Sequence, residues 1–468
     1  MFTDLNVEKI DTAPDISRLV TVRESFGQYS VLLREYVAGN LDRAGEALLK
    51  ALIKEYREQG LLLTEDIEDS AFVKYVATPL SREIVRMIYG STIYASISRM
   101  ELYAGCAYAQ FLKYGMNLKT KEEYGFEASD LGTIYHGVLD CFSTDLERNY
   151  LSWADFTKEQ GEKMVEQAVK TFCEDYEQGL LSDDEQSAYK IQKITRILKR
   201  TVDTLQFHVK RGNFRPEHHE FDFKREIPID SDTALLLNGK IDRVDIYEQG
   251  DRVYVKILDY KSSQRDLDIT DIYHGIQQQL AFYMAEAVHT ERQVHPDKKI
   301  IPSALLYYTI DNPMLSGTKK MSDEEKEQAI RKELRLKGVI EGSEDNIRNL
   351  DENAMGDTPV LPVSFKKDGT PLASAASKVL TEEEMDGMIQ YVEGMVKNIG
   401  KRINDGDKRI NPMCSDKTDA CKFCDFKSIC RFDEKIPGYV KRDGREIDKE
   451  KAKDIVLGGD QGELYLFD

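Results

Sequence analysis

Leu48, Leu49, Leu52 and Ile53 recur at the three- and four-residue intervals of one helix face within a mixed-charge stretch, and residues 1 to about 95 read as mostly helical. A further helix is expected after Ser96, where Ser98 and Glu101 have the spacing of a capping box. That helix carries Leu102, Tyr103, Cys106 and Phe111. The helical pattern resumes over residues 130 to 212. Near Phe221 the period changes. Phe221 to Ile229, Ala234 to Ile246 and Arg252 to Tyr260 alternate or run apolar between Asp and Gly turns, which predicts successive strands. A helix from Ile272 to about Val288 and a strand from Ser303 to Ile310 follow. Residues 322 to 339 read as a charged helical insertion and 381 to 404 as another helix. The centre is therefore an α/β core of strand, strand, strand, helix, strand.

Composition narrows the picture. The 468 residues suffice for two or three domains, and 41% hydrophobic residues is ordinary for a soluble protein. No run of 18 apolar residues occurs, so no membrane span is expected. The first residues lack a basic stretch followed by an apolar one, so a secretory signal is not expected. Seven cysteines, an odd number, point to ligands in a reducing compartment rather than to disulfides. The net charge of −19 governs solubility rather than the local field of a groove. Candidate basic stripes are Lys190 to Arg200 and Lys210 to Arg215. Solvated helix faces are the plainer account of both.

The chemistry concentrates in two segments, Gly239 to Asp245 and Ile257 to Ser263. Side chains alternate along a strand, so Asp259 and Lys261 project together while Tyr260 points away. A hairpin between the segments brings Asp242 beside Asp259. Two carboxylates on one face form a hard-oxygen site for Mg²⁺ or Mn²⁺, suited to phosphodiester hydrolysis. Lys261 would orient or deprotonate a water, or stabilise the transition state; the Tyr260 carbonyl would complete the shell. An isolated Asp-x-Lys is common, and a charged surface hairpin is the competing account. Asp130-x-Gly132-x3-His136 places an imidazole on a helix able to pack on this core. Gln279 and Tyr283, four apart, share a helix face just after the strands. Cys421, Cys424 and Cys430 form a Cys-x2-Cys-x5-Cys run. With a fourth thiolate, from Cys106 or Cys414, they suit zinc or an iron–sulfur cluster, and spacing alone does not decide.

Together these segments resemble the RecB-type branch of the PD-(D/E)xK nucleases, and within it the C-terminal part of the AddB family, the B subunit of the ATP-dependent helicase/deoxyribonuclease. The matching pieces are Ser96–Glu101 with Cys106, Asp130–His136, Gly239–Asp245, Ile257–Ser263, Tyr273-His274-Gly275 through Gln279 to Tyr283, and Cys421–Cys430. They span about three quarters of the chain. Cys106-Ala107-Tyr108 departs from the family's usual Cys-Pro-Phe. The resemblance implies a restriction-endonuclease-like α/β core with large helical additions and an iron–sulfur staple. It implies that His136, Asp242, Asp259 and the Tyr260 carbonyl bind Mg²⁺, that Lys261 is catalytic, that Gln279, Tyr283 and Glu220 support the site, and that Cys106, Cys421, Cys424 and Cys430 hold a [4Fe–4S] cluster. Such a staple closes a loop of about 315 residues. Cys141 and Cys173 read as neutral helical thiols.

The expected organisation is then a helical remnant of an upstream helicase-like region (1–95), a helical segment with Cys106 and His136 (96–212), the nuclease core (213–312), a helical insertion and C-terminal helix (313–412), and the cysteine cluster with its tail (413–468). The expected activity is a metal-dependent DNA exonuclease acting on the 5′-ended strand of single-stranded DNA or DNA ends. It is expected in the bacterial cytoplasm, as a heterodimer with the A subunit of the helicase–nuclease. Gly394 to Lys401 has the wrong spacing for a phosphate-binding loop, so no ATPase activity is expected of this chain. The competing readings are a catalytically silent iron–sulfur DNA-binding scaffold and a free-standing nuclease resembling the small CRISPR-associated exonucleases.

Overall fold

The computed structural model describes residues 22–60, 73–121, 126, 128–175, 185–315, 321–354, 356, 358–366, 371, 377–445 and 447–459. They fall into two compact units. The smaller comprises residues 1–77 and 432–440, the larger 78–431 and 441–468. In the smaller unit, helices α1 (Val22–Val37) and α2 (Arg43–Glu58) pack through Tyr29, Leu32 and Leu33 against Leu49, Leu52 and Tyr56. Asp42 caps α2 by accepting the Gly45 N–H. Tyr75 stacks on Tyr439, ring centroids 4.5 Å apart.

The larger unit begins with α3 (Arg82–Tyr89), β1 (Thr92–Ala95), α4 (Ile97–Gly105) and the short α5 (Ala107–Gln110). Three helices follow: α6 (Ala128–Arg148), α7 (Lys158–Asp175) and α8 (Glu185–Arg211). Then come β2 (Arg215–Pro228), β3 (Ala234–Gln249), β4 (Arg252–Lys261), α9 (Ile269–Tyr273), α10 (Gln279–Val294) and β5 (Lys299–Thr309). The chain continues through α11 (Asp323–Glu333), β6 (Lys337–Glu341), α12 (Glu344–Leu350), β7 (Val379–Leu380) and α13 (Glu382–Asn404). It closes with β8 (Met413–Cys414), α14 (Lys427–Cys430), β9 (Arg442–Asp443) and α15 (Lys449–Leu457).

Among the described residues the main sheet has seven strands, in the order β1-β3-β4-β5-β6-β7 with β2 also paired to β3. β3 is antiparallel to both β2 and β4, and β4 runs parallel to β5. That parallel step requires a crossover, which α9 and α10 supply. Alternation along β4 sends Val253, Val255 and Ile257 into one core with α10 and α13, and Tyr254, Leu258 and Tyr260 into another with α6, α7 and α8. The sheet is thus covered on both faces, the three-layer solution for an α/β domain.

Several sequence expectations change here. Ser96, not Ser98, caps α4 by accepting the Arg99 N–H, and Glu101 turns away to another helix. The helix expected from Ile272 is broken between Tyr273 and Gln279, with Gly275 at φ +74°. The charged helix at 322 ends at Glu333, and residues 337–341 pair with β5 instead. The supposed insertion therefore donates β6 and β7 to the sheet. Local charge made it look helical, whereas β-branched Val339 and Ile340 are buried against β5. β2 also starts earlier than Phe221, at Arg215, because its exposed polar residues carry no apolar period.

Candidate active site and thiol cluster

β3 and β4 pair regularly as far as Arg243 opposite Leu258. Beyond that point the ladder is taken over by a side chain. Asp242 Oδ2 accepts the Tyr260 N–H at 2.6 Å, while Asp242 Oδ1 lies 3.1 Å from His136 Nδ1 on α6. His136 Nε2 lies 3.0 Å from the Tyr260 carbonyl oxygen. Both partners are acceptors, so the ring satisfies them only with both nitrogens protonated. Burial opposes that charge, but the hydrogen bond to Asp242 and the charges of Asp242, Asp259 and Glu220 prevail and raise the imidazole above its ordinary value.

His136, Glu220 and Asp242 each bring a ligand atom within 4.8 Å of the others. Glu220 reaches this place from a left-handed backbone, φ 45°, inside β2. A non-glycine residue holds that conformation at a cost of about 1–3 kcal/mol. Asp259 stands beside them, 1% exposed, and neither carboxylate oxygen has an aligned hydrogen bond. Lys261 Nζ approaches Oδ2 to 2.5 Å as an ion pair only. Burial, with Asp242 adding to it, pushes the Asp259 carboxyl up to about 7. A buried acid pair with unsatisfied oxygens is what a divalent ion neutralises, and the donor set of carboxylates, imidazole and carbonyl suits Mg²⁺ or Mn²⁺.

Lys261 is held from a second side. Its ammonium donates to Gln279 Oε1 at 3.0 Å, and Gln279 Nε2 donates to the Tyr283 hydroxyl at 3.0 Å. Leu280 and Met284 face the core from the same helix, so one turn of α10 serves packing and site together. All the residues expected at the acid–lysine centre meet here.

Behind the site lies a network that sequence reading missed. Arg243 grips Asp245 with two hydrogen bonds, 2.6 and 2.9 Å, and Lys256 Nζ adds an ion pair at 2.6 Å. Burial opposes the Asp245 charge, but Arg243 and Lys256 hold its carboxyl below the usual range. Arg243 also lies 5.0 Å above the Trp153 ring and bonds the Tyr260 side chain. The network therefore braces the strand residues that flank Asp242 and Asp259. The sequence signal was an alternating Asp-Arg-Val-Asp on a strand that otherwise buries every second residue.

The four proposed thiols of the second centre meet as well. Cys106 sits at the end of α4 in a small apolar nest with Ala109, Leu112 and Phe426, and Cys424 packs against it. Burial pushes the Cys421 thiol up to about 11, and the charges of Cys106, Asp419, Cys424 and Cys430 add to this. Cys414 lies elsewhere, on β8 paired with Asp443 of β9. Among the described residues, no three of the four sulfurs fall within 4.8 Å of one another. A tetrahedral zinc with Zn–S bonds of about 2.3 Å would need them roughly 3.8 Å apart. Their spacing suits a larger body such as an iron–sulfur cluster. Cys173 is buried and its thiol is pushed up to about 11, whereas Cys141 is only half-buried.

The basic stripes are largely spent inside the chain. Lys199 pairs with Glu166, Arg200 with Glu327 and Arg211 with Asp351. Residues 394–401 lie within α13.

A three-layer α/β fold that sets an acid pair and a lysine at the parting of two strands defines a metal-dependent nuclease class. The family model of the PD-(D/E)XK nuclease superfamily matches residues 94–431, and the chain belongs to that superfamily. It is similar to proteins named as the B subunit of an ATP-dependent helicase/deoxyribonuclease. The one from Lachnoclostridium phytofermentans is 31% identical over 97% of this chain and 38% of that protein. The one from Alkaliphilus oremlandii is 29% identical over 97% of this chain and 40% of that protein. The one from Listeria monocytogenes is 31% identical over 85% of this chain and 35% of that protein. The chain thus spans well under half the length of these curated relatives. Among the described residues no helix is long and apolar enough to cross a membrane.

Proposed function

We propose that this chain is the metal-dependent deoxyribonuclease module of a helicase–nuclease complex, an exonuclease for the 5′-ended strand in double-strand-break repair by recombination. The observation that carries the reading is Asp259: a buried carboxylate without an aligned hydrogen bond, flanked by Asp242 and held by Lys261. His136, Asp242, Asp259 and the Tyr260 carbonyl would hold Mg²⁺ or Mn²⁺, with Glu220 at the rim. A bound divalent ion supplies a water of lowered pKa and neutralises charge on the phosphodiester. Lys261, fixed between Asp259 and Gln279, keeps an ammonium at the place where negative charge develops. Tyr283 locks the Gln279 amide so that its oxygen, not its nitrogen, faces the lysine.

Cys106, Cys421, Cys424 and Cys430 would hold a [4Fe–4S] cluster that ties the two ends of the nuclease domain. The names of the relatives support a heterodimer in the cytoplasm, in which the A subunit of the helicase–nuclease delivers single-stranded DNA or DNA ends. The test is end-labelled single-stranded DNA with the pure chain and Mg²⁺, beside Lys261→Ala. Wild type is expected to release nucleotides, and the variant to fall by at least about a hundredfold. Equal product from both sinks the catalytic reading and leaves a thiolate-bound DNA scaffold. Adding the helicase-bearing partner with ATP then shows whether cleavage depends on the complex.

A further inference from the structure

Gln279 is the second hand on Lys261, and its own position depends on how α10 begins. No side chain of α10 itself caps that end. The N–H groups of Gln278 and Gln279 instead donate to one oxygen, Oε1 of Glu101, at 2.8 and 3.2 Å. Glu101 belongs to α4, 177 positions earlier in the chain. Two of the orphan donors of a helix start are thus satisfied by a carboxylate from another element, with the charge sign that a helix N-terminus favours. Burial pushes this carboxyl up, and Arg265, the two N–H groups and Lys261 counter it. The charge is therefore shared with the catalytic lysine.

The same helix α4 ends at Cys106, whose N–H closes on the Leu102 carbonyl at 2.8 Å. Its last turn is clasped from outside. The Arg442 guanidinium donates to the carbonyls of Ala104 and Gly105, and the Tyr103 hydroxyl donates to Asp407 Oδ2 at 2.5 Å. Gly275, at the break between α9 and α10, lies so close that a Cβ there would meet the Ala104 Cβ at 3.0 Å. One nine-residue helix thus touches the thiol nest at its end and the Gln279 helix at its middle.

We propose that Glu101 is the positioning residue for Lys261, acting through the start of α10, and that α4 thereby couples the thiol centre to the acid–lysine centre. The inference rests on the nuclease reading for its catalytic half. The experiment uses the full chain with Glu101→Ala and Glu101→Gln, assayed on end-labelled single-stranded DNA with Mg²⁺. Iron content and amide hydrogen exchange of residues 276–283 are followed in parallel. Glu101→Ala is expected to lower kcat by roughly ten- to a hundredfold, the scale of a misplaced catalytic group, with KM and iron content unchanged. Exchange across residues 276–283 is expected to quicken by about tenfold, the effect of losing one cap. Glu101→Gln keeps the acceptor oxygen and is expected to restore kcat to within about threefold, which a purely packing role would not require.

Unchanged protection or unchanged kcat in Glu101→Ala overturns the proposal, as does a Glu101→Gln variant as impaired as Glu101→Ala. A wild type that leaves DNA uncut overturns the nuclease reading and the catalytic half of this one. Unchanged exchange in Glu101→Ala removes the cap and leaves the nuclease reading standing.

Discussion

The Tyr260 N–H donates to Asp242 Oδ2 at 2.6 Å, so a carboxylate of β3 replaces a backbone carbonyl as the partner of β4. The two strands part at this rung. The parting exposes the Tyr260 carbonyl to His136 and lets Asp259 stand beside Asp242 on the same side of the sheet.

Asp242 therefore does structural and chemical duty together. Asp242→Asn leaves a single acceptor oxygen for two donors, the Tyr260 amide and the His136 ring. The expected outcome is loss of Mg²⁺-dependent cleavage together with a stability loss of about 1–3 kcal/mol, the cost of one unpaired buried donor. Urea unfolding of the metal-free protein measures the second; a variant as stable as wild type would refute the shared role.

Asp259 gives a pH signature. Its folded-state carboxyl is pushed up to about 7, above the unfolded value of about 3.9. The folded protein therefore binds more protons than the unfolded chain between those values. The contribution to stability is present at low pH and is lost as pH rises from about 4 to about 7. Metal-free Asp259→Asn is expected to melt above wild type at about pH 8 and level with it at about pH 4. Mg²⁺ should raise the wild-type melting temperature at the higher pH and leave the variant unmoved.

The two centres should separate by colour and activity. Cys424→Ala is expected to lose the brown chromophore and bind single-stranded DNA more weakly, while Asp259→Ala keeps the colour and loses cleavage. Absorbance, iron analysis and a binding titration on the same preparations check this. A colourless, fully active wild type carrying zinc reverses the assignment.

The bracing network behind the site is expected to show in stability first. Asp245 is 0% exposed and serves both Arg243 and Lys256. Asp245→Ala strands two buried cations and should cost about 3–5 kcal/mol in urea unfolding. Replacing Asp245, Arg243 and Lys256 together with apolar residues of similar volume should recover much of that loss.

Much of the site was legible in the chain because short-range geometry is periodic. The two-residue repeat of β4 put Asp259 and Lys261 on one side, and four-residue spacing on α10 put Gln279 and Tyr283 on one face. Boundaries were less legible where polarity masked burial, as in β2 and β6. The capping box at Ser98 and Glu101 was a local pattern overridden by a distant partner: Ser96 took the cap and Glu101 served α10.

By itself, then, the sequence determined the types of chemistry and their local presentation, since strand and helix periods follow from backbone sterics alone. Only the tertiary structure decided that β3 and β4 part at Asp242, that Cys106 rather than Cys414 joins the Cys421 loop, and that α4 reaches both centres. Each of these depends on contacts between residues far apart in the chain, whose energies come from shared burial and leave no repeat to read.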